Sequence, residues 1–331
     1  MSSAVQLVGG RGCLSASGAA VGEGYSPGHI TAFFSIHMAN DPMLTGSTGA
    51  GICIVEGVRT RVTLRPSNRS VSDLSISFNG TAISGVSTCE YLVRAISARF
   101  GSPLSVSAEQ ESALPPNYGY GLSGASVLSL ALAINKAAGL GLSVNEVGRL
   151  AHEAEVANFT GLGDVSAQLT GGLEVRLKPG APGIGEVRRL PHPEGRVVVT
   201  APVVRFPTKT MITARRYVER INPLGARAMA AFIESPSIEN MMRQSRLFWQ
   251  DVGIEEGRMN AAIRLFEDAG VECPSAKKGV VFGVICRDEL PAVAKRLGFQ
   301  PPEPEAPMPI TLRGSKGIDL IVTEVANRGA Q

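Results

Sequence analysis

Between Pro116 and Ser126 the chain sets Gly119, Gly121 and Gly124 among Ser123 and Ser126, and the apolar stretch Leu122–Ala138 follows at once. Glycines let a backbone come close to an anion. The start of a helix adds unpaired N–H groups and a partial positive charge, so phosphate is the natural guest. No Gly-Lys-[Ser/Thr] follows, which separates the run from a Walker loop. No acidic residue follows a strand at the distance a dinucleotide-binding fingerprint needs. A tight turn that only serves helix packing is the plain alternative.

Two carboxylates come next. Ser143 and Glu146 make an S-x-x-E capping box that predicts a helix running to about Asn158. Val144, Val147, Ala151 and Ala154 form its apolar stripe, with Glu155 at the margin and His152 one step further round. Glu155 can therefore be aimed into a cleft, or it can sit on a solvated helix edge. Asp164 ends Thr160-Gly161-Leu162-Gly163-Asp164 and precedes Gly171-Gly172. It either faces a substrate hydroxyl or caps the short helix that follows. Arg176 lies on the alternating run Leu173–Leu177, where its planar fork could pair with a carboxylate or point to solvent.

The elements that must position these residues are α/β in kind. Gly51–Val58 and Thr60–Leu64 read as two strands joined at Gly57, and Leu74–Phe78 as another entering the Asn79-Gly80 turn. Cys89–Phe100 has helical periodicity, and Leu104–Ala108 reads as a strand leading toward the glycine-rich loop. Pro179–Gly195, rich in Pro and Gly, reads as a domain boundary. Beyond it are strand Val197–Ala201, helices between Thr210 and Ala269, strand Gly279–Cys286, a helix from Asp288 to Leu297 and a last strand, Ile318–Val325. Strands alternating with helices in both halves indicate mixed α/β (α+β) architecture. Residues 1–24, rich in Gly, Ser and Ala, read as a flexible tail, followed by domains at 25–190 and 191–331.

Composition sets the bounds. With 331 residues, 44% hydrophobic and 18% charged, the chain is globular. A net charge of +3 without basic clusters gives no ground for a nucleic-acid partner. Five scattered cysteines without C-x-x-C suggest neither a zinc site nor a disulfide framework, and fit a cytoplasmic setting. No signal peptide is evident, and Lys136 inside the most apolar segment favours a buried helix over a membrane span.

Pro116 followed by Gly-x-Gly-x-Ser-Gly-Ala-Ser at Gly119–Ser126, entering an apolar helix, resembles the central motif of the GHMP kinase superfamily. Glu155 and Asp164 resemble its magnesium-ligand glutamate and catalytic aspartate. Ser26-Pro-Gly-His-Ile-Thr-Ala-Phe-Phe34 resembles its opening segment. Within the superfamily the likeness is closest to archaeal pantoate kinases, through Ser-Pro-Gly-His-Ile-Thr at 26–31, Gly-Ser-Thr-Gly-Ala-Gly at 46–51, His152-x-x-Glu155, and Asp164 with Arg176 after it.

The resemblance implies a two-domain GHMP kinase fold. Its N-terminal domain would be like a ribosomal-protein fold and its C-terminal domain ferredoxin-like, with the active site between them. It implies that Pro116, Gly119, Gly121, Leu122, Ser123, Gly124, Ala125 and Ser126 hold ATP. Glu155 and a loop serine, Ser126 or Ser123, would hold Mg²⁺, and Asp164 would be catalytic. Ser47, His152, Arg176 and Thr208 would bind pantoate, whose primary hydroxyl becomes phosphorylated to 4-phosphopantoate in coenzyme A biosynthesis. A cytoplasmic homodimer is expected.

The serine register departs from the commoner pattern, because Gly124 and Ala125 stand where two serines usually follow. The superfamily's third glycine-rich motif is poorly matched by Pro274-Ser-Ala-Lys-Lys-Gly279, where Lys277 or Lys278 could compensate electrostatically. Phosphorylation of mevalonate, homoserine or shikimate, or a non-catalytic sensor role, are the competing readings.

Overall fold

The computed structural model describes residues 19–67, 72–101, 103–206, 208–253, 257–303, 306–314 and 319–331. The first half runs β1 (Ala20–His37), β2 (Gly46–Pro66), β3 (Asp73–Phe78), β4 (Thr81–Ile83), α1 (Ser87–Phe100), β5 (Leu104–Glu111), α2 (Leu122–Ala138), α3 (Val144–Asn158), α4 (Asp164–Thr170), β6 (Leu173–Lys178) and β7 (Glu186–Leu190). The second half has β8 (Arg196–Pro202), α5 (Thr208–Thr213), α6 (Arg215–Glu234), α7 (Ile238–Val252), α8 (Arg258–Asp268), β9 (Ser275–Lys277), β10 (Val280–Cys286), α9 (Leu290–Arg296), β11 (Ile310–Leu312) and β12 (Leu320–Glu324). The first sheet is ordered β4-β3-β5-β2-β6-β7, with β1 also paired to β2; the second is β11-β12-β8-β10-β9. This is the mixed α/β architecture expected.

β1 and β2 form one long antiparallel ribbon, from Ala20 opposite Leu64 to His37 opposite Gly46. Two expectations change here. Ala20–Gly24, read as the end of a flexible tail, are strand; residues 1–18 lie outside the described residues. The glycines that suggested flexibility are there for packing. A Cβ on Gly22 or Gly24 would run into the α2 backbone at Ala133 and Ser129, so bare glycine lets the helix lie on the strand. Likewise Gly57 does not join two strands. The register slips between Pro27 and Gly28, and a Cβ on Gly57 would strike the Ser26 carbonyl, so Gly57 marks a bulge in a single strand.

The capping box of α3 is present as expected, with Ser143 accepting from the Glu146 N–H and Glu146 from the Ser143 N–H. Pro179–Gly195 is not merely a connector, since β7 within it pairs with β6. The chain changes sheet between Leu190 and Arg196. Even so, one hydrophobic core serves both sheets, from Ile30, Phe33 and Phe34 on β1 to Val198 on β8 and Phe282 on β10. Phe33 meets Phe232 edge-on at 5.6 Å between ring centroids, and Phe34 lies 5.7 Å from Phe248. Past β12 the chain returns to the first half, where Tyr25 and Gln331 exchange both backbone hydrogen bonds at 2.8 Å. Among the described residues no helix is long and apolar enough to cross a membrane.

If Gly24 is bare for packing, Gly24→Val should lower unfolding stability by about 1–3 kcal/mol, the usual cost of overpacking. Glu23→Val, on the exposed side of the same strand, should stay within about 0.5 kcal/mol. Denaturant unfolding of the pair checks this.

Candidate active site

The phosphate loop ends as its glycines require. Gly119 and Gly121 have φ of +111° and +67°, left-handed values that favour glycine. Gly121 is the N-cap of α2 and supplies no side-chain cap, so first-turn N–H groups are left for an anion. Gln168 Nε2 donates to the Gly121 carbonyl at 2.9 Å and holds that turn. Pro116, Gly119, Gly121, Leu122, Ser123 and Ser126 line a cleft of about 510 Å³. Gly124 and Ala125 do not; they pack inward, Gly124 against Gln168 and Asp164, Ala125 into the core.

The two loop serines separate. Ser123 Oγ donates to Glu155 Oε1, which also accepts from Thr160 Oγ1 at 2.6 Å. Ser126 Oγ donates instead to Gln110 Oε1 at 2.6 Å. Of the two serines, it is Ser123 whose hydroxyl meets Glu155. One helical turn on, Ser126 is turned toward β5 and engaged there.

Glu155 is buried, and its Oε2 has no hydrogen-bond partner among the described residues. Burial, opposed by the Ser123 and Thr160 hydrogen bonds, pushes its carboxyl up to about 7. A Cβ on Gly161 would collide with that free Oε2 and lie 3.4 Å from Asp164 Oδ2, so bare glycine keeps a space beside both carboxylates. An orphaned hard oxygen, a neighbouring hydroxyl and an open cradle fit Mg²⁺, which takes one or two protein oxygens and completes its shell with phosphate and water. No three-carboxylate or His/Cys cluster competes for a metal among the described residues.

Asp164 opens α4, and its side chain is 12% exposed. Its Oδ1 lies 2.6 Å from His29 Nδ1 and 3.6 Å from Lys277 Nζ. Burial alone would raise its pKa. The Lys277 ammonium, the His29 hydrogen bond and charge, and Lys278 outweigh burial and hold it well below the usual carboxylate range. Lys277 also donates to the His29 carbonyl at 2.9 Å, and burial brings its own pKa down to about 8. Both lysines of the poorly matched third motif thus act on the Asp164 carboxylate.

A narrower cavity, about 40 Å³, meets the loop-lined cleft at Asp164 and Lys278. Ser47 and Arg176 line it, with Trp249, Phe34 and Ile212 on its apolar side. Arg176 is 2% exposed, not solvated: Met211, Ile212 and Trp249 of the second half line the same cavity and cover that face of β6. Arg176 Nη1 donates to Glu174, while its Nε is buried without a partner. A Cβ on Gly163 would strike Ser47 Oγ and lie 2.8 Å from Arg176 Nε, so these two polar groups converge beside Gly163.

His152 does not line this cavity. Its Nε2 lies 3.1 and 3.0 Å from the Pro42 and Thr45 carbonyls, and burial lowers its pKa. It holds the loop that leads into Ser47. Thr208 opens α5, but its side chain is outside the described set.

Sequence reasoning missed His29 and Glu174 as site residues. Glu174 shares the β6 face with Arg176 two positions on, a signal that strand periodicity carries. His29 stood in the Ser-Pro-Gly-His-Ile-Thr segment without a role.

Residues 87–172 match the family described as GHMP kinases N terminal domain. The chain is 32% identical to the pantoate kinase of Thermococcus kodakarensis over 82% of its own length and 90% of that protein. It is also 32% identical to the pantoate kinase of Methanocaldococcus jannaschii, over 70% and 80% respectively. A solved phosphotransferase related to the CoA biosynthesis pathway superposes with a TM-score of 0.80 at 25% identity, covering 94% of this chain and 98% of that one. Mevalonate diphosphate decarboxylase from Staphylococcus aureus, 15% identical with a TM-score of 0.66 over 95% and 98%, shares the fold. The chain belongs to the GHMP kinases and, among them, to the pantoate kinase family.

With burial pushing Glu155 up to about 7, Mg²⁺ bound there would have to displace a proton below that pH. Mg²⁺ affinity should fall as pH drops below about 7 and level off above it. Ser123→Ala should raise the Mg²⁺ needed for half-maximal rate, and Ser126→Ala should leave it nearly unchanged. Mg²⁺ titrations of the initial rate at several pH values check all three.

Proposed function

We propose that this protein transfers the γ-phosphoryl group of ATP to the primary hydroxyl of pantoate, giving 4-phosphopantoate for coenzyme A biosynthesis. The observation that carries the reading is the meeting of two cavities at Asp164 and Lys278, one lined by a phosphate loop and one by Ser47 and Arg176. The curated relatives are pantoate kinases, which favours this acid over mevalonate, homoserine or shikimate. Free cysteines at 53, 89, 273 and 286 suit a reducing cytoplasm.

Phosphoryl transfer asks for position and charge more than for covalent chemistry. The first-turn N–H groups of α2 hold ATP phosphates. Glu155 and Ser123 hold Mg²⁺, which when bound neutralises phosphate charge. Ser47 and Arg176 Nε take the carboxylate of the acid, and its hydroxyl end reaches Asp164. With Oδ1 engaged by His29, Asp164 presents Oδ2 to that hydroxyl. Lys277 and Lys278 supply positive charge where the phosphoryl group passes. His152 contributes by fixing the Ser47 loop rather than by touching the acid, and Thr208 opens α5, the helix that brings Met211 and Ile212 to the acid pocket.

Purified protein with Mg-ATP should form ADP with pantoate and much less with mevalonate, homoserine or shikimate; preference for another alcohol overturns the substrate assignment. Asp164→Ala should lose about 10²–10⁴-fold in kcat while melting as a folded protein. Arg176→Lys keeps a charge beside Glu174 but loses the fork. It should raise KM for the acid about 10- to 100-fold, in line with ~1.5–3 kcal/mol for a charged hydrogen bond, with KM for ATP steady.

A further inference from the structure

We propose that His29 is a positioning residue that ties recognition of the acid to the orientation of Asp164, through the buried chain Arg176–Glu174–His29–Asp164. Glu174 Oε1 accepts from Arg176 Nη1 and from His29 Nε2, the latter at 3.0 Å. The other ring nitrogen, Nδ1, lies 2.6 Å from Asp164 Oδ1. His29 and Glu174 are both 0% exposed, and neither lines the acid cavity or the loop cleft. They touch no substrate, so whatever they do is done through their neighbours.

The chain leaves one free group at each end. Arg176 spends Nη1 on Glu174 and keeps Nε, buried and unpartnered, beside Ser47. Asp164 spends Oδ1 on His29 and keeps Oδ2. The distance between these two groups is the distance between the carboxylate and the hydroxyl of the acid, and a rigid ring with two opposed nitrogens sets it. Each ring nitrogen faces one carboxylate oxygen, Nδ1 that of Asp164 and Nε2 that of Glu174. The ring therefore acts as a strut between substrate recognition and the reacting hydroxyl, where about 1 Å of misplacement can cost 10²-fold.

The coupling rests on the reading of Asp164 as the hydroxyl-facing group, and the test keeps the two apart. A double-mutant cycle combines His29→Gln with the isosteric Glu174→Gln, measured as kcat and KM for acid and ATP on protein shown to be folded by thermal melting. Glu174→Gln, at a residue that lines neither cavity, should lower kcat about 10- to 100-fold with KM for ATP unchanged. Added to His29→Gln, it should cost less than about twofold more, because the strut is already broken. If His29→Gln does not fold, the same cycle is run with Asp164→Asn, in which Glu174→Gln should again add almost nothing. Near-normal kcat in Glu174→Gln, or losses that multiply independently, overturns the coupling while leaving the kinase reading in place. A wild-type protein that phosphorylates no acid-bearing alcohol overturns both.

Discussion

Charge is buried around Asp164, and the rest of the structure follows from the need to balance it. Taking a single ion out of water costs several kcal/mol even after relaxation. Here Glu174, Arg176, His29 and Lys277 are each no more than 2% exposed, and Asp164 only slightly more. Replacing such a set with apolar side chains would stabilise most proteins, so stability is not what the cluster provides. It gives fixed charges in a water-poor site, where they act on a reacting group without having to reorganise. The five members come from four elements, His29 from β1, Glu174 and Arg176 from β6, Asp164 from α4 and Lys277 from β9. The array exists only when those four meet.

That requirement explains why two sheets share one core. Lys277 reaches His29 and Asp164 only because β9 is held against β1, and the phenylalanines of β1 are packed on α6 and α7 of the second half. The seam is close enough to demand missing side chains. A Cβ on Gly119 would lie 2.5 Å from the Lys277 carbonyl, and Gly279 donates its N–H to the Tyr118 carbonyl at 3.2 Å. Lys278 turns with φ of +57° between them. The glycine-rich loop is thus buttressed by the segment that carries the lysines, so the proposed nucleotide contacts and the charge compensation share one support.

Much of this was legible in the residues. The loop glycines, the Ser143–Glu146 box, Glu155 and Asp164 announce themselves because helix starts and positive-φ turns have local chemistry. What escaped was set by tertiary cover. Arg176 alternates with leucine and valine as though one face were wet, yet helices of the second half close over it. Gly22 and Gly24 looked like a loose tail because composition cannot show that a helix lies on them. Ser123 and Ser126 are equivalent by type. Only the position of Gln110 on β5, far off in sequence, takes Ser126 away from Glu155. His29 and Glu174 carry no motif of their own and acquire meaning only when Asp164 and Arg176 are placed on either side of them.

The same electrostatics decide how Asp164 works. A general base is most effective with a pKa near the working pH. Asp164 is held far below that by Lys277, His29 and Lys278. Such a carboxylate takes a proton weakly but accepts a hydrogen bond at all working pH values. A loose phosphoryl transfer asks for that, since the attacking hydroxyl sheds its proton late and the main need is to be aimed. Burial pushes Glu155 the other way, up to about 7, against the Ser123 and Thr160 hydrogen bonds and the Lys278 charge. Two carboxylates facing one glycine are thereby set to opposite tasks. On the proposed reading, the charged one orients the alcohol and the other holds the cation that accompanies the nucleotide.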